Sequence, residues 1–154
     1  MKMAVGSDSA GNLTETIVAY LEEKGVEPVR CGALAGRDDV DYVDSARETA
    51  EKVASGQCEQ ALAFCNTGTG VTIITNKVPG VRAALCVDAY SAQIARLANN
   101  ANVLVLSIRL TGEGLAKEIV DTWLATEPST EPRRMNFHRK TDEVDEHYRK
   151  TDAS

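Results

Sequence analysis

The segment Cys65–Gly70 (CNTGTG) places a thiol ahead of two threonines and two glycines. The apolar run Ala61–Cys65 that leads into it is typical of a strand buried on both faces. Backbone N–H groups at a glycine turn that opens a helix can hold an oxyanion, and the positive helix N-terminus favours a nearby thiolate. A base beside an oxyanion site suits removal of a proton next to a carbonyl group, through an enediolate intermediate.

Spacing alone leaves these assignments open. CNTGTG is also compatible with an ordinary strand-to-helix turn that buries Cys65, and it lacks the spacing of a P-loop or of a dinucleotide-binding fingerprint. Asp8, in the segment Gly6–Gly11 (GSDSAG), could accept hydrogen bonds from sugar hydroxyls or could cap the first helix. Six arginines could bind phosphate, although each is more often a solvated surface charge: Arg82, Arg96, Arg109, Arg133, Arg134 and Arg139.

Short apolar runs and amphipathic helical stretches alternate along the chain. The predicted strands are Met3–Gly6, Val26–Arg30, Ala61–Cys65, Val81–Cys86 and Val103–Ser107. This alternation predicts an α/β fold, with a five-stranded parallel sheet covered by helices on both faces. Ligands bind such sheets at the carboxyl ends of the strands, which is where Asp8, Cys65 and Arg109 are expected.

No linker divides the chain, so the sequence predicts a single domain over residues 1–154. The stretch from about 128 to 154 follows Pro128 and is polar, with weak helical periodicity. A frayed tail and an arm that packs on a partner subunit are both compatible with this pattern. Four apolar side chains favour the arm: Met135, Phe137, Val144 and Tyr148.

Composition excludes several classes of function. The net charge of −6 provides no positive field for nucleic acid, and no apolar run is long enough to span a membrane. The four cysteines form no C-x-x-C motif and both histidines lie in the tail, so neither a zinc site nor a disulfide framework is expected. The N-terminus lacks the apolar core of a signal peptide, which predicts a cytoplasmic protein.

Several separate blocks resemble the type B ribose-5-phosphate isomerases and the related galactose-6-phosphate isomerase subunits. The resemblance covers Met1 to about Ala125 and becomes weaker in the tail. Its blocks are Gly6–Gly11, Asp41-Tyr42, Cys65–Gly70, Asn76–Cys86 (NKVPGVRAALC), Tyr90–Arg96 (YSAQIAR) and Asn99–Leu104 (NNANVL). The resemblance implies a Rossmann-like three-layer fold, a dimer or tetramer with shared active sites, a sugar-phosphate substrate, and no metal or other cofactor.

The resemblance also implies roles for individual residues. Cys65 carries a proton between C1 and C2 of the sugar, and Thr67 stabilises the enediolate together with the segment Gly68-Thr69-Gly70. Substrate contacts come from Asp8, Ser9, Tyr42 and Asn66, and Asn99 enters from the neighbouring subunit. Arg109 matches a phosphate-binding arginine. The family also has two phosphate-binding arginines four residues apart in the tail; Arg134 matches the first, and the second falls on His138 or, with a shift, on Arg139.

Three departures from the family pattern concern the substrate. Ser9 and Ala98 stand where the family usually has histidines, and Asn66 replaces a glycine. The histidine at the position of Ala98 opens the furanose ring, and alanine cannot transfer a proton. D-Erythrose 4-phosphate cannot form such a ring because its C4 oxygen carries phosphate, so the departures favour this tetrose while the family pattern favours ribose 5-phosphate. One subunit of a mixed hexose-phosphate isomerase and a non-catalytic regulator remain alternatives.

Overall fold

The central sheet of the computed structural model, which describes residues 1–151, consists of five parallel strands. They are β1 (Lys2–Ser7), β2 (Glu27–Gly32), β3 (Gln60–Cys65), β4 (Ala83–Leu85) and β5 (Val103–Ser107). The strand order across the sheet is β2-β1-β3-β5-β4. This architecture confirms the predicted α/β fold.

Helices cover both faces of the sheet and enclose a separate apolar cluster on each side. They are α1 (Asn12–Glu23), α2 (Tyr42–Ala54), α3 (Thr69–Thr75), α4 (Ala89–Asn99), α5 (Glu113–Ala125) and α6 (Pro132–Thr151). Helices α1, α4 and α5 pack around Trp123 and Phe64 on one face. Helices α2 and α3 pack on the other face around small residues such as Ala46 and Val71.

The strand β4 is shorter than the predicted segment Val81–Cys86. Arg82 donates its backbone N–H to the side-chain Oδ1 of Asn102 at 2.7 Å, so a side chain takes the place of a strand partner there. β4 is also an edge strand with a single neighbour, β5. The strand is therefore confined to Ala83–Leu85.

Helix α2 begins at Tyr42, three residues before the stretch Ser45–Ser55 in which apolar residues recur at helical spacing. The backbone N–H of Asp44 donates to the Asp41 carboxylate at 2.9 Å, so Asp41 is the N-cap and Tyr42 is the first helical residue. The first three residues of α2 are exposed, so they do not belong to the buried apolar face of the helix.

The two ends of the parallel strands form two distinct edges of the molecule. We define the carboxyl edge by the segments that follow β1, β3 and β5, at residues 8–11, 66–68 and 108–110. The amino edge comprises the segments that precede β4 and β5, at residues 80–82 and 100–102. Since β5 has five residues, the two edges are separated by roughly 15 Å.

The C-terminal stretch forms the helix α6, which rests against the amino edge. The Asp145 carboxylate accepts the backbone N–H of Gly80 at 2.6 Å, and Asp142 forms an ion pair with Arg82 at 3.4 Å. The apolar side chains expected on an arm are exposed on this helix, at Met135, Phe137, Val144 and Tyr148. Residues 152–154 of the predicted arm lie outside the described residues. No helix within residues 1–151 is long and apolar enough to cross a bilayer.

Candidate active site

Cys65 is the last residue of β3, and its register partner is Ser107, the last residue of β5. The four residues before it in β3, from Ala61 to Phe64, are an apolar run buried in the sheet. The Cys65 side chain is 8% exposed, whereas Asn66 and Thr67 immediately after it are exposed. The thiol therefore lies at the boundary between the core and the solvent-facing carboxyl edge.

A sharp turn follows Cys65 and leads into α3. Gly68 adopts a left-handed φ of 86°, and a Cβ there would lie 2.4 Å from Cδ1 of Leu85 in β4. Thr67 Oγ1 lies 2.8 Å from Thr69 Oγ1 and accepts the backbone N–H of Thr69 at 3.4 Å. The first intrahelical bond of α3 runs from Thr72 N–H to the Gly68 carbonyl, so the N–H groups of the first turn have no acceptor within the helix.

The end of β5 is tied to the Cys65 turn by backbone hydrogen bonds. Ile108 donates its N–H to the Cys65 carbonyl at 2.8 Å, and Arg109 donates to the Asn66 carbonyl at 3.1 Å. Ser107 Oγ donates to the same Asn66 carbonyl at 2.7 Å. These bonds place Arg109 at the carboxyl edge of the same subunit as Cys65. Its side chain is exposed and makes no ion pair with any residue in the described part of the chain.

Ser107 is a residue that the sequence reasoning did not select. Its hydroxyl is buried, donates to Asn66 and accepts the backbone N–H of Leu110 at 3.1 Å. It thereby fixes the loop that carries Arg109 against the loop that carries Asn66. The sequence offers one signal for this role, because Ser107 is the polar residue that ends the apolar run VLVLS.

Tyr42 joins the site through the packing of α2 on α3. A Cβ on Gly70 would lie 2.8 Å from Cε2 of Tyr42, so the aromatic ring covers the first turn of α3. Tyr42 is nonetheless 41% exposed, so the residue borders solvent as well as the turn.

Asp8 and Ser9 follow β1 at the same edge, and both side chains are exposed. The N-cap of α1 is Gly11, and Thr14 completes that cap, so Asp8 does not serve as a helix cap. The backbone N–H of Ser9 donates to Ser7 Oγ at 3.2 Å, which holds the loop against the end of β1. The Asp8 carboxylate remains open to a ligand.

Three predicted residues, Asn99, Arg134 and His138, lie away from the carboxyl edge. Asn99 is the last residue of α4, a helix of 11 residues that begins at the carboxyl edge and ends about 16 Å away from it. His138 Nε2 lies 2.9 Å from the carbonyl oxygen of Ala98, and Arg134 is one helical turn earlier in α6. Within one subunit these residues are therefore not brought together with Cys65.

The other three cysteines lie in the core. Desolvation by burial raises the pKa of Cys31 and of Cys86 to about 11, and it also raises the pKa of Cys58. Cys65 is the cysteine that borders the carboxyl edge. Among residues 1–151, no three His, Cys, Asp or Glu side chains cluster as a ligand set for a metal ion.

Comparison with known proteins identifies the family. The family model described as Ribose/Galactose Isomerase matches residues 3–141. The chain belongs to the ribose/galactose isomerase family. Membership confirms the resemblance drawn from the sequence blocks and the predicted class of enzyme, an isomerase.

Curated members of the ribose/galactose isomerase family differ in substrate at equal similarity to this chain. The D-erythrulose-4-phosphate isomerase of Pectobacterium atrosepticum is 41% identical over 128 residues, which cover 82% of this chain and 84% of that protein. Ribose-5-phosphate isomerase B of Escherichia coli is 41% identical over 127 residues, which cover 82% and 85%. Overall identity therefore does not select between a tetrose and a pentose.

Solved structures of the ribose/galactose isomerase family agree with the fold. Ribose-5-phosphate isomerase B of Clostridium thermocellum superimposes with a TM-score of 0.88 at 40% identity, covering 96% of this chain and 99% of that chain. The overlap extends beyond residue 125, where the sequence resemblance is weak, so α6 is included in the shared architecture.

Proposed function

We propose that this protein is a sugar-phosphate aldose–ketose isomerase in which Cys65 moves a proton between C1 and C2. The observation that carries the proposal is the location of one thiol at the end of β3, between the Thr67 turn and Arg109. A thiol at that point can reach a ligand bound at the carboxyl edge, where the other three cysteines cannot.

The proposed reaction needs one base and one group of hydrogen-bond donors. The Cys65 thiolate removes the proton from C2 of the aldose, and the electrons of that C–H bond form the enediolate as the C1 oxygen gains negative charge. Proton exchange between the C1 and C2 oxygens follows, and the thiol returns its proton to C1 to give the ketose. Substrate and product are isomers, so the reaction consumes no oxidant or reductant.

The donors for the enediolate are the Thr67 hydroxyl and the backbone of the segment Gly68-Thr69-Gly70. Thr67 Oγ1 and Thr69 Oγ1 share one hydrogen bond at 2.8 Å, which leaves the other hydroxyl hydrogen of the pair for substrate. A donor of this kind, held before the charge develops, stabilises the transition state more than the ground state.

We assign recognition of the sugar to the polar side chains that surround Cys65. Asp8 accepts from sugar hydroxyls, and Ser9, Tyr42 and Asn66 supply further hydrogen bonds at the same edge. Arg109 binds phosphate because its guanidinium group is exposed and has no acidic partner among residues 1–151.

We further propose that the site is completed by a second copy of the chain. Asn99 and Arg134 lie near the amino edge, so they can contribute to a site at Cys65 only from a neighbouring subunit. The exposed side-chain amide of Asn99 makes no hydrogen bond within the described residues, which leaves it free to bind a substrate in the neighbouring subunit. The functional unit is therefore a homodimer, alone or paired into a tetramer.

The second candidate for the substrate is the tetrose pair D-erythrulose 4-phosphate and D-erythrose 4-phosphate. Ala98 and Ser9 cannot act as ring-opening acids or bases in the way that imidazole does. Ribose 5-phosphate is mostly cyclic, whereas the tetrose cannot close by the same hydroxyl, which is blocked by phosphate. Ala98 is thus a specific observation in favour of the tetrose.

The test is turnover of the purified chain, with its size measured by gel filtration, on D-ribose 5-phosphate and D-erythrose 4-phosphate. A tenfold preference in kcat/KM corresponds to about 1.4 kcal/mol at the transition state. A preference for the tetrose supports the ring-opening argument, and a preference for the pentose refutes that argument but keeps the isomerase. A homodimer that converts neither substrate refutes the proposed function for these sugars. That result would favour the alternative in which the chain is one subunit of a mixed isomerase.

A further inference from the structure

His138 joins α6 to the last turn of α4. Its Nε2 lies 2.9 Å from the carbonyl oxygen of Ala98, and the side chain is half-buried. A carbonyl oxygen only accepts hydrogen bonds, so Nε2 must carry the hydrogen and donate it. The last carbonyls of a helix lack intrahelical partners, and His138 supplies one.

A second side chain also holds this turn. Arg82 Nε donates to the carbonyl oxygen of Asn100 at 2.6 Å. Asn100 has a left-handed φ of 50° and terminates α4, with its own N–H bonded to the Arg96 carbonyl. The carbonyl groups on either side of Asn99, those of Ala98 and Asn100, are therefore both held by side-chain donors. The side-chain amide of Asn99 is exposed and makes no hydrogen bond within residues 1–151.

We infer that His138 is a positioning residue that fixes the direction in which Asn99 is presented to the site of a neighbouring subunit. This inference rests on the proposed function of Asn99. The family resemblance matches His138, together with Arg134, to a pair of phosphate-binding positions, and its contact with the Ala98 carbonyl supports a role towards Asn99.

A double-mutant cycle separates positioning from direct substrate contact. We expect H138A and N99A each to lower kcat/KM by about tenfold on the preferred sugar phosphate, and the double variant to match N99A within about twofold, because residues that act through one another are not additive. H138Q keeps an N–H donor and is expected to recover most of the loss. H147Q is the matched control, since His147 lies on the same helix and its ring packs on Tyr148.

A double variant that loses about a hundredfold would show that His138 acts independently of Asn99 and would overturn the inference. Unchanged activity of H138A would overturn it as well. Circular dichroism melting of each variant separates these outcomes from a loss of folding.

Hydrogen exchange provides a readout that does not depend on turnover. The N–H groups of Asn100 and Ala101 are bonded within the last turn of α4, to the carbonyls of Arg96 and Ala95. H138A should accelerate exchange in a peptide spanning residues 95–101, and H147Q should not. Unchanged exchange in H138A refutes positioning, whereas failure of the wild-type chain to convert any sugar phosphate refutes only the proposed function.

Discussion

The aromatic ring of Tyr42 lies directly against the α-carbon of Gly70. A Cβ added at residue 70 would stand 2.8 Å from Cε2 and 3.2 Å from Cδ2 of that ring. Tyr42 opens α2 and Gly70 belongs to the first turn of α3, so this contact sets how a candidate sugar-binding side chain lies over the turn that follows Cys65.

Substitution of Gly70 by alanine should therefore reduce activity by displacing Tyr42. We expect G70A to lower kcat/KM by about tenfold or more, with a small change in melting temperature because an exposed ring can move. G114A is the control, since a Cβ at Gly114 meets no atom within 4 Å. Steady-state kinetics of G70A, Y42A and their double variant test whether G70A acts by displacing Tyr42. A double variant with a much lower kcat/KM than Y42A would contradict this explanation.

Replacement of Cys65 by alanine should abolish turnover without abolishing binding. Loss of a general acid/base group typically costs 10²- to 10⁴-fold, and we expect C65A to fall at the upper end because one group both removes and returns the proton. Binding of the sugar phosphate by calorimetry should persist. C86A is the control at another buried cysteine, and turnover by C65A within tenfold of wild type would refute the mechanism.

Arg109 should affect binding more than chemistry. We expect R109A to raise KM by about tenfold or more while kcat changes little, because phosphate is held in both the ground state and the transition state. R30A is a control, since Arg30 forms an exposed ion pair with Glu15 at 2.9 Å and such pairs contribute little. A fall in kcat with constant KM would assign Arg109 to the reacting end of the substrate instead.

Alkaline pH should destabilise the fold through two buried thiols. Burial raises the pKa of Cys31 and Cys86 to about 11 from 9.0. A raised pKa means that the unfolded chain loses these protons first, so the contribution is intact below pH 9 and is lost as pH rises towards 11. The expected loss at pH 10 is about 1 kcal/mol per thiol. Urea unfolding of wild type and of C31A/C86A from pH 8 to pH 10.5 measures this loss of stability. Equal pH dependence of the unfolding free energy in the two proteins would show that these thiols do not cause it.

Much of the fold followed from the apolar pattern of the sequence. The strands β3 and β5 were predictable because QALAFC and VLVLS are almost uniformly apolar and buried. The start of α2 was not, because its first residues are exposed and the helix begins at the Asp41 cap. The length of β4 depended on Arg82 bonding to Asn102, a contact between residues 20 apart that no local pattern encodes.

The candidate site was predictable where it follows strand ends and not where it depends on helix packing. Cys65 is the last residue of a strand, and Asp8 and Arg109 follow strands, so the parallel topology alone places them at one edge. The contact between Tyr42 and Gly70 depends on how α2 lies on α3, and the contact between His138 and Ala98 depends on the return of α6. Neither has a signal in residue spacing.

The placement of Cys65 and Asn99 at opposite edges has a consequence for how such a gene can diverge. In an assembly with shared sites, each chain contributes the thiol to one pocket and the amide to another. After a gene duplication, one copy that lost the thiol and a sister copy that lost the amide would still build one intact pocket in every mixed pair. Selection would then preserve the two genes together, and the original self-sufficient enzyme would become an obligate partnership of two specialised subunits.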